Sequence, residues 1–79
     1  MSFTRSGISY EAEQYVNESV DPIKDMVGID YVRLNGGVLG VNGILVGPDS
    51  WVIVKTADGS FHDVVSNAKF VEEYVPSIP

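Results

Sequence analysis

Polar and hydrophobic residues alternate regularly over residues 8–16. One side of an extended chain would carry the mainly apolar set Ile8, Tyr10, Ala12, Gln14 and Val16, and the other side Ser9, Glu11, Glu13 and Tyr15. Successive side chains of a β-strand point to opposite faces, so this period of two predicts a strand with one face toward a core. We expect the first strand of the fold here.

Residues 19–28 carry the signals of a short helix. Asp21 suits the N-cap because its carboxylate can accept from a free backbone N–H. Pro22 is pre-organised for the first helical position, and Gly28 is a typical stop. The apolar residues of the segment are Ile23, Met26 and Val27. Their i, i+3, i+4 spacing gives the helix a single inner face.

After Gly28 the pattern changes to short β-prone runs separated by turn residues. Asn35-Gly36 and Asn42-Gly43 suit type I′ hairpin turns, because both central residues of such a turn need positive φ. The β-prone runs cover residues 29–34, 38–41, 44–46, 51–56 and 60–65. The segment therefore predicts a meander of about five short strands.

A second short helix is expected at the C-terminal end of the chain. Ser66 is placed to cap it, because its hydroxyl can accept from a backbone N–H in the first turn. Phe70, Val71 and Tyr74 then lie at i, i+1 and i+4, and Pro76 ends the helix.

Several of the strand-forming runs are apolar at consecutive positions, as in residues 44–46, 52–54 and 64–65. A sheet with one wet face should alternate, so this pattern predicts a sheet buried on both faces. Two short helices can cover one face at most. We therefore predict an α+β fold whose mostly antiparallel sheet of five to six short strands is strongly curled and barrel-like, or packs on a second subunit. One helix would follow the first strand, and the other would be C-terminal.

Length and charge bound the class of protein. The 79 residues predict one small domain over residues 1–79, with residues 1–7 a flexible N-terminus and residues 77–79 a flexible tail. Without Cys there is no disulfide and no thiolate chemistry. A net charge of −6, with basic residues spread singly, argues against nucleic-acid binding. No apolar run has the length of a signal peptide or a membrane span, so we expect a cytoplasmic protein.

Reactive groups are few. His62 is the single histidine, and Asp63 follows it directly. Adjacent residues of a strand point to opposite faces. We therefore do not expect His62 to act as a base that is oriented by the Asp63 carboxylate. The glycines of residues 36–47 lack the context of a phosphate-binding loop. Asp21 and Asp25 could share a helical face, but one His with dispersed carboxylates predicts no specific metal site. We predict no enzyme activity, no cofactor and no metal.

Three blocks follow one another along the chain: Ile8-Ser9-Tyr10-Glu11-Ala12-Glu13-Gln14-Tyr15, then Gly47-Pro48-Asp49-Ser50-Trp51-Val52-Ile53-Val54 with Asp58-Gly59, and last Phe70, Tyr74 and Pro76. Their order and spacing resemble those of a family of short phage and prophage proteins named for a Pro-Gly-Asp-Tyr-Gly-like (PGDYG) turn. Compared with that turn, Gly and Pro are exchanged here and Ser50 is inserted. The resemblance implies a phage-type origin and a shared fold, and it transfers no catalytic residue.

Five residues are candidates for contact with a partner: Glu11, Gln14, Tyr15, Asp49 and Trp51. Trp51 adjoins a turn at the mouth of the sheet, and Tyr15 lies on the Glu-bearing side of its strand, so both rings could anchor a partner. The competing interpretation makes Trp51 a core residue and Tyr15 a half-buried edge residue. Glu11 and Gln14 would then satisfy backbone groups where the strand leaves the sheet.

The leading functional hypothesis is a phage-type accessory protein that binds a host macromolecule, such as a defence or regulatory protein, without catalysis. It rests on the resemblance and on the scarcity of catalytic and nucleic-acid signals. A second hypothesis is a homo-oligomer that sequesters a small molecule such as a signalling nucleotide, although the negative charge weighs against an anionic ligand. A minor virion component is a third hypothesis.

Overall fold

The computed structural model describes residues 2–16, 20–28, 31–35 and 38–76. In chain order the elements are β1 (Ser2–Arg5), β2 (Ile8–Gln14), α1 (Asp21–Val27), β3 (Val32–Asn35), β4 (Val38–Val41), β5 (Ile44–Val46), β6 (Trp51–Lys55), β7 (Phe61–Val65), α2 (Asn67–Glu73) and β8 (Val75–Pro76). The strands form two separate sheets. The fold class α+β is therefore as predicted, whereas the single sheet is not.

The larger sheet has the strand order β7-β6-β2-β1-β8, and all its neighbouring strands are antiparallel. Strand β1 lies within residues 1–7, the segment expected to be flexible, and reaches β2 through a tight turn at Ser6 and Gly7, both with positive φ. Because of this additional strand, the prediction that a helix follows the first strand is wrong: α1 follows the second. The expected tail, residues 77–79, lies outside the described residues.

The smaller sheet is the antiparallel meander β3-β4-β5. Its second turn has φ values of 52° at Asn42 and 81° at Gly43, which confirms the hairpin predicted there. Gly36, in the other predicted Asn-Gly turn, lies outside the described residues. The register defines an inner face of Val32, Leu34, Leu39, Val41, Ile44 and Val46. The opposite outer face carries Arg33, Val38, Gly40 and Leu45.

The two sheets pack against each other through an inter-sheet core. This core comprises Tyr15, Ile23, Val32, Leu39, Val41, Val46 and Val52. Leu39 and Val41 from the smaller sheet and Val52 from the larger one expose no surface. The predicted strongly curled, barrel-like sheet is wrong, since neither sheet closes on itself in the described part of the chain. The prediction placed every strand in one sheet and buried its second face by curling or by a second subunit, whereas here a second sheet of the same chain covers that face.

Helix α2 covers the opposite face of the larger sheet through an aromatic core. Phe70 stacks on Trp51 with ring centroids 3.9 Å apart and planes 5° apart, and on Tyr74 at 5.0 Å. Phe3 meets Phe70 edge-on at 4.6 Å. The remaining members of this core are Tyr10, Ala12, Ile53 and Val65. Ring pairs of this kind contribute about 0.5–1.5 kcal/mol each beyond the area they bury.

The helix ends agree with the sequence signals except at two places, the N-cap of α1 and the end of α2. The prediction that Pro76 ends the second helix is wrong, because α2 ends at Glu73 and Pro76 belongs to β8. Gly28 ends α1 with φ 93°, and Ser66 caps α2 by accepting from the Lys69 N–H at 3.3 Å, as predicted. The N-cap of α1 is Val20, without a side-chain cap bond, so the prediction of Asp21 there is wrong by one residue. Pro22 is tolerated because the first-turn N–H groups have no intrahelical partner. On α2, Val71 points outward with 65% of its surface exposed.

Candidate functional site

Four of the five predicted contact residues come together at one corner of the larger sheet. Gln14 and Trp51 are cross-strand partners at the ends of β2 and β6. The Asp49 N–H donates to the Tyr15 carbonyl at 2.8 Å, and the Tyr15 N–H donates to the Ser50 carbonyl at 2.9 Å. These backbone bonds hold the turn of residues 47–50 against the end of β2.

Asn67, a residue that the sequence analysis missed, joins the polar groups of this corner. Its Oδ1 accepts from the Trp51 indole N–H at 2.9 Å and from Gln14 Nε2 at 3.3 Å. Gln14 Nε2 also donates to the Asp49 carbonyl at 3.0 Å. A buried indole N–H needs a hydrogen-bond acceptor. From the sequence, a buried Trp51 therefore predicts a polar residue near it, although not which one.

The burial of these side chains favours the competing, structural interpretation of the corner. Trp51 is 8% exposed in the aromatic core, and Tyr15 is 7% exposed in the inter-sheet core. Asp49 is the exposed member of the group. Glu11 lies apart from the corner, where Ser2 Oγ donates to it at 2.7 Å and thereby lowers the pKa of its carboxyl. A partner would meet mainly Asp49 here, because both rings face inward.

Replacing Asn67 with alanine should leave the Trp51 indole N–H without its acceptor. We expect the free energy of unfolding to fall by about 1–3 kcal/mol, the cost of an unsatisfied buried donor. Urea denaturation measures the loss. Asn67→Asp keeps an acceptor oxygen and should lose clearly less; equal losses for both variants would contradict this role.

The smaller sheet concentrates the exposed apolar side chains of the molecule. Residues 31–48 contain no Asp or Glu, and Arg33 is their single charged residue. Large hydrophobic side chains with substantial exposure in this segment are Tyr31, Leu34, Val38, Ile44 and Leu45. Leu45 is 74% exposed, the largest value among them. Of these, Val38 and Leu45 lie on the outer face, which is thus an acid-free apolar surface in a chain of net charge −6.

Gly40 forms the floor of a groove on the outer face. The groove has a volume of about 350 Å³ and is lined by Arg33, Val38, Gly40 and Leu45. A Cβ at Gly40 would lie 3.8 Å from the nearest backbone oxygens, an ordinary contact distance, and the residue has no positive φ. The fold therefore does not require glycine in this central strand. Strand glycines of this kind often mark a close approach by a ligand or another backbone.

The two edges of the smaller sheet differ in protection. On β3, the Arg33 guanidinium donates to the Val32 carbonyl at 2.9 Å and places charge at that edge. Strand β5 consists of Ile44, Leu45 and Val46, with no charge and no proline inside it. Edge strands without charge, proline or a bulge are those to which another chain adds most easily.

A separate cleft, the Asp58 cleft, lies where the β6–β7 turn approaches the smaller sheet. It has a volume of about 320 Å³ and is lined by Val27, Tyr31, Val41, Asp58, Gly59, Ser60 and Phe61. Asp58 Oδ1 accepts from the Ser60 hydroxyl at 2.6 Å and from the Ser60 N–H at 3.0 Å. These bonds, the hydroxyl first, lower the pKa of Asp58 and keep its carboxylate ionised at neutral pH.

A β-bulge changes the expected geometry at His62. Asp63 pairs with Ile53 and Phe61 with Val54, so His62 is the extra residue. The His62 ring lies 4.7 Å from the Tyr10 ring, so His62 is on the aromatic-core side of the sheet. Ile53 belongs to the same core, and Asp63, its cross-strand partner, therefore lies on that side as well. The expectation that His62 and Asp63 face opposite sides is therefore wrong. Asp63 Oδ1 accepts from the Val64 N–H at 2.7 Å.

Arg5 closes the outer side of the aromatic core. Its guanidinium carbon lies 5.5 Å from the Tyr74 ring centroid, and its Nη2 lies 2.6 Å from Glu73 Oε1. Burial raises the pKa of Tyr74 despite the opposing effect of Arg5, so the hydroxyl stays protonated at neutral pH. These contacts fasten α2 to β1.

Within residues 2–16, 20–28, 31–35 and 38–76, no three His, Asp or Glu side chains are grouped so that they could hold a metal ion. Over the same residues, neither helix is long and apolar enough to cross a membrane.

The three blocks that resemble the PGDYG family occupy connected parts of the fold. The first block is β2, the second is the 47–50 turn with β6, and the third is α2 with β8. They meet at the Gln14 and Trp51 corner and in the aromatic core. Comparison of the chain with protein-family models, with curated proteins and with solved structures finds no match, so the resemblance stays a prediction from the residues.

Proposed function

We propose that this chain is a non-enzymatic accessory protein that binds a host protein through the outer face and the β5 edge of its smaller sheet. The observation that supports this proposal is the acid-free apolar surface around Leu45 and Gly40. The phage-type origin and a site of action in the bacterial cytoplasm are parts of the same proposal. They rest on the PGDYG resemblance alone.

The partner element we propose is an extended apolar segment that adds to β5 as a further strand. The smaller sheet has three strands of three or four residues. With about 4.8 Å between strands and about 3.3 Å between successive residues, its outer face has an area on the order of 200 Å². A stable pair of folded proteins buries about 800 Å² on each partner, so this face is too small to hold a second copy by itself. A strand gains main-chain hydrogen bonds along β5 while its side chains fill the groove over Gly40.

The nucleotide alternative gains no support from the clefts. The charged group that lines the Asp58 cleft is a carboxylate, which repels phosphate, and Arg33 is the single basic residue of the outer groove. A minor virion component has no specific observation in its favour. Host-protein binding is therefore the function that we propose.

The test is quantitative capture from bacterial lysate with the immobilised protein and two surface variants. Leu45→Lys places a charge on the apolar face, and Gly40→Thr fills the groove with a residue that strands favour. We expect each variant to retain at least tenfold less of a specific host protein than the wild type, because losing a hot-spot contact costs about 2 kcal/mol or more and about 1.4 kcal/mol is already tenfold in affinity. Gly40→Thr should fold at least as stably as the wild type.

Val71→Lys is the matched control, since Val71 is 65% exposed on α2, away from the smaller sheet. It should retain the host protein as the wild type does. The proposal fails if micromolar bait recovers no specific protein. It also fails if the Leu45 and Gly40 variants retain the protein as well as Val71→Lys.

A further inference from the structure

The Asp58 cleft has the chemistry of a site for a positively charged organic ligand. Tyr31 and Phe61 contribute aromatic rings, and Val27 contributes a half-buried aliphatic side chain. Its volume of about 320 Å³ is at the lower end of the range found for small-molecule sites, about 300–1,000 Å³. The cleft is thus of a size for a small ligand with an apolar body.

The charged group of the cleft is positioned at its rim. Asp58 belongs to the β6–β7 turn, and its two hydrogen bonds from Ser60 fix one carboxylate oxygen, Oδ1, in place. Gly59, with φ 71°, allows the tight turn that brings Asp58 and Phe61 to the same opening. A carboxylate held beside aromatic rings attracts a cation both by its charge and through the ring faces.

We propose that the Asp58 cleft binds a small organic cation, an ammonium group attached to an aromatic or aliphatic body. The body would lie between Val27 and Phe61, and the ammonium group would lie between Asp58 and the ring of Tyr31. The net charge of −6 adds a favourable long-range potential for such a ligand and an unfavourable one for an anion. Among the described residues that line the cleft, Asp58 is the one carboxylate that could meet a bare metal ion.

Among the described residues, the basic side chain that acts on Asp58 by its charge lies on the other side of the larger sheet. Lys55 is the basic residue whose charge acts on Asp58. It is the cross-strand partner of Tyr10, which places it on the aromatic-core side of the sheet, whereas Val41 and Phe61 line the cleft from the inter-sheet side. The cleft is also independent of the proposed partner surface, because Leu45 and Gly40 belong to the outer face and not to the cleft lining.

The experiment is a titration of the isotope-labelled protein with three probes of similar shape, followed by NMR. Phenethylammonium carries the cation, 2-phenylethanol is the neutral analogue, and phenylacetate is the anionic one. N-acetyl-lysine methylamide tests whether a lysine side chain of a protein can replace the free amine. We expect saturable shifts at Val41, Phe61 and Ser60 with phenethylammonium, and an affinity at least fivefold higher than for the alcohol.

Variants decide whether Asp58 carries the preference. Asp58→Asn should remove the advantage of phenethylammonium over the alcohol, while Asp49→Asn, which removes an equal charge from an exposed turn elsewhere, should keep it. Tyr31→Ala should weaken phenethylammonium more than the alcohol. Equal binding of amine and alcohol by the wild type, equal effects of the two Asp variants, or no binding of phenethylammonium would each overturn the inference. None of these outcomes depends on host-protein capture.

Discussion

Replacing Phe70 with alanine is expected to lower the free energy of unfolding by about 3–5 kcal/mol, the usual cost of removing a buried phenylalanine ring. Phe70 is 2% exposed and contacts three other rings, those of Trp51, Tyr74 and Phe3. A small domain is stable by only about 5–15 kcal/mol, so this variant should lose much of its margin. The aromatic core, and with it the attachment of α2, depends on this ring.

Urea denaturation followed by tryptophan fluorescence measures the loss, because Trp51 is the stacking partner. Val71→Ala is the matched control on the neighbouring residue of the same helix. Val71 is 65% exposed, so its truncation should change stability by no more than about 0.5 kcal/mol. Similar losses for the two variants would mean that α2 does not present Phe70 to the sheet.

Two leucines of the smaller sheet should respond very differently to the same truncation. Leu39 is fully buried on the inner face, whereas Leu45 is 74% exposed on the outer face. Leu39→Ala is expected to cost about 2–5 kcal/mol, since it removes buried methyl groups and leaves a cavity between the sheets. Leu45→Ala is expected to cost no more than about 0.5 kcal/mol.

The free energy of unfolding of both variants and of the wild type is measured by equilibrium denaturation in urea. The dependence of this free energy on urea concentration should be the same for all three proteins, which checks that unfolding is two-state. A large loss for Leu39 with a small one for Leu45 fits two sheets packed through their inner faces. The reverse order would mean that the smaller sheet presents its other face to the core.

Much of the local structure could be predicted from sequence because its signals are carried by neighbouring residues. Gly28 and Ser66 mark helix ends through backbone conformation and a short-range hydrogen bond. The turn at Asn42-Gly43 follows from the need for two positive φ angles. Each of these features is decided within a few residues of the chain.

The assignment of strands to two sheets could not be predicted in the same way. Consecutive aliphatic residues suggested that both faces of a strand are covered, which holds for residues 52–54 but not for residues 44–46, where Leu45 is 74% exposed. Even where the suggestion holds, the sequence does not say what covers each face. Strand β1 was missed because its role depends on pairing with β2 on one side and with β8, more than seventy residues away, on the other. Such pairings are set by the whole fold.

The candidate binding surface was only partly accessible from sequence for a related reason. The lack of acidic residues over residues 31–48 can be read directly, but whether Leu45 or Leu39 meets solvent depends on the register of β4 and β5. Trp51 and Tyr15 were named as contact residues from sequence but are buried in the structure. A large ring beside a turn can serve either a partner or the core, and the sequence does not distinguish the two. Burial separates the two cases.

The orientation of the smaller sheet underlies both the inter-sheet core and the proposed partner surface, and methyl NOE spectroscopy measures it. Cross-peaks should join the methyl groups of Leu39 and Val41 to Val52 and to the ring of Tyr15, while the Leu45 methyl groups should show none to the larger sheet. A shift of one residue in the register would exchange the two faces. Cross-peaks from Leu45 to Val52, with none from Leu39, would contradict the fold and the partner surface together.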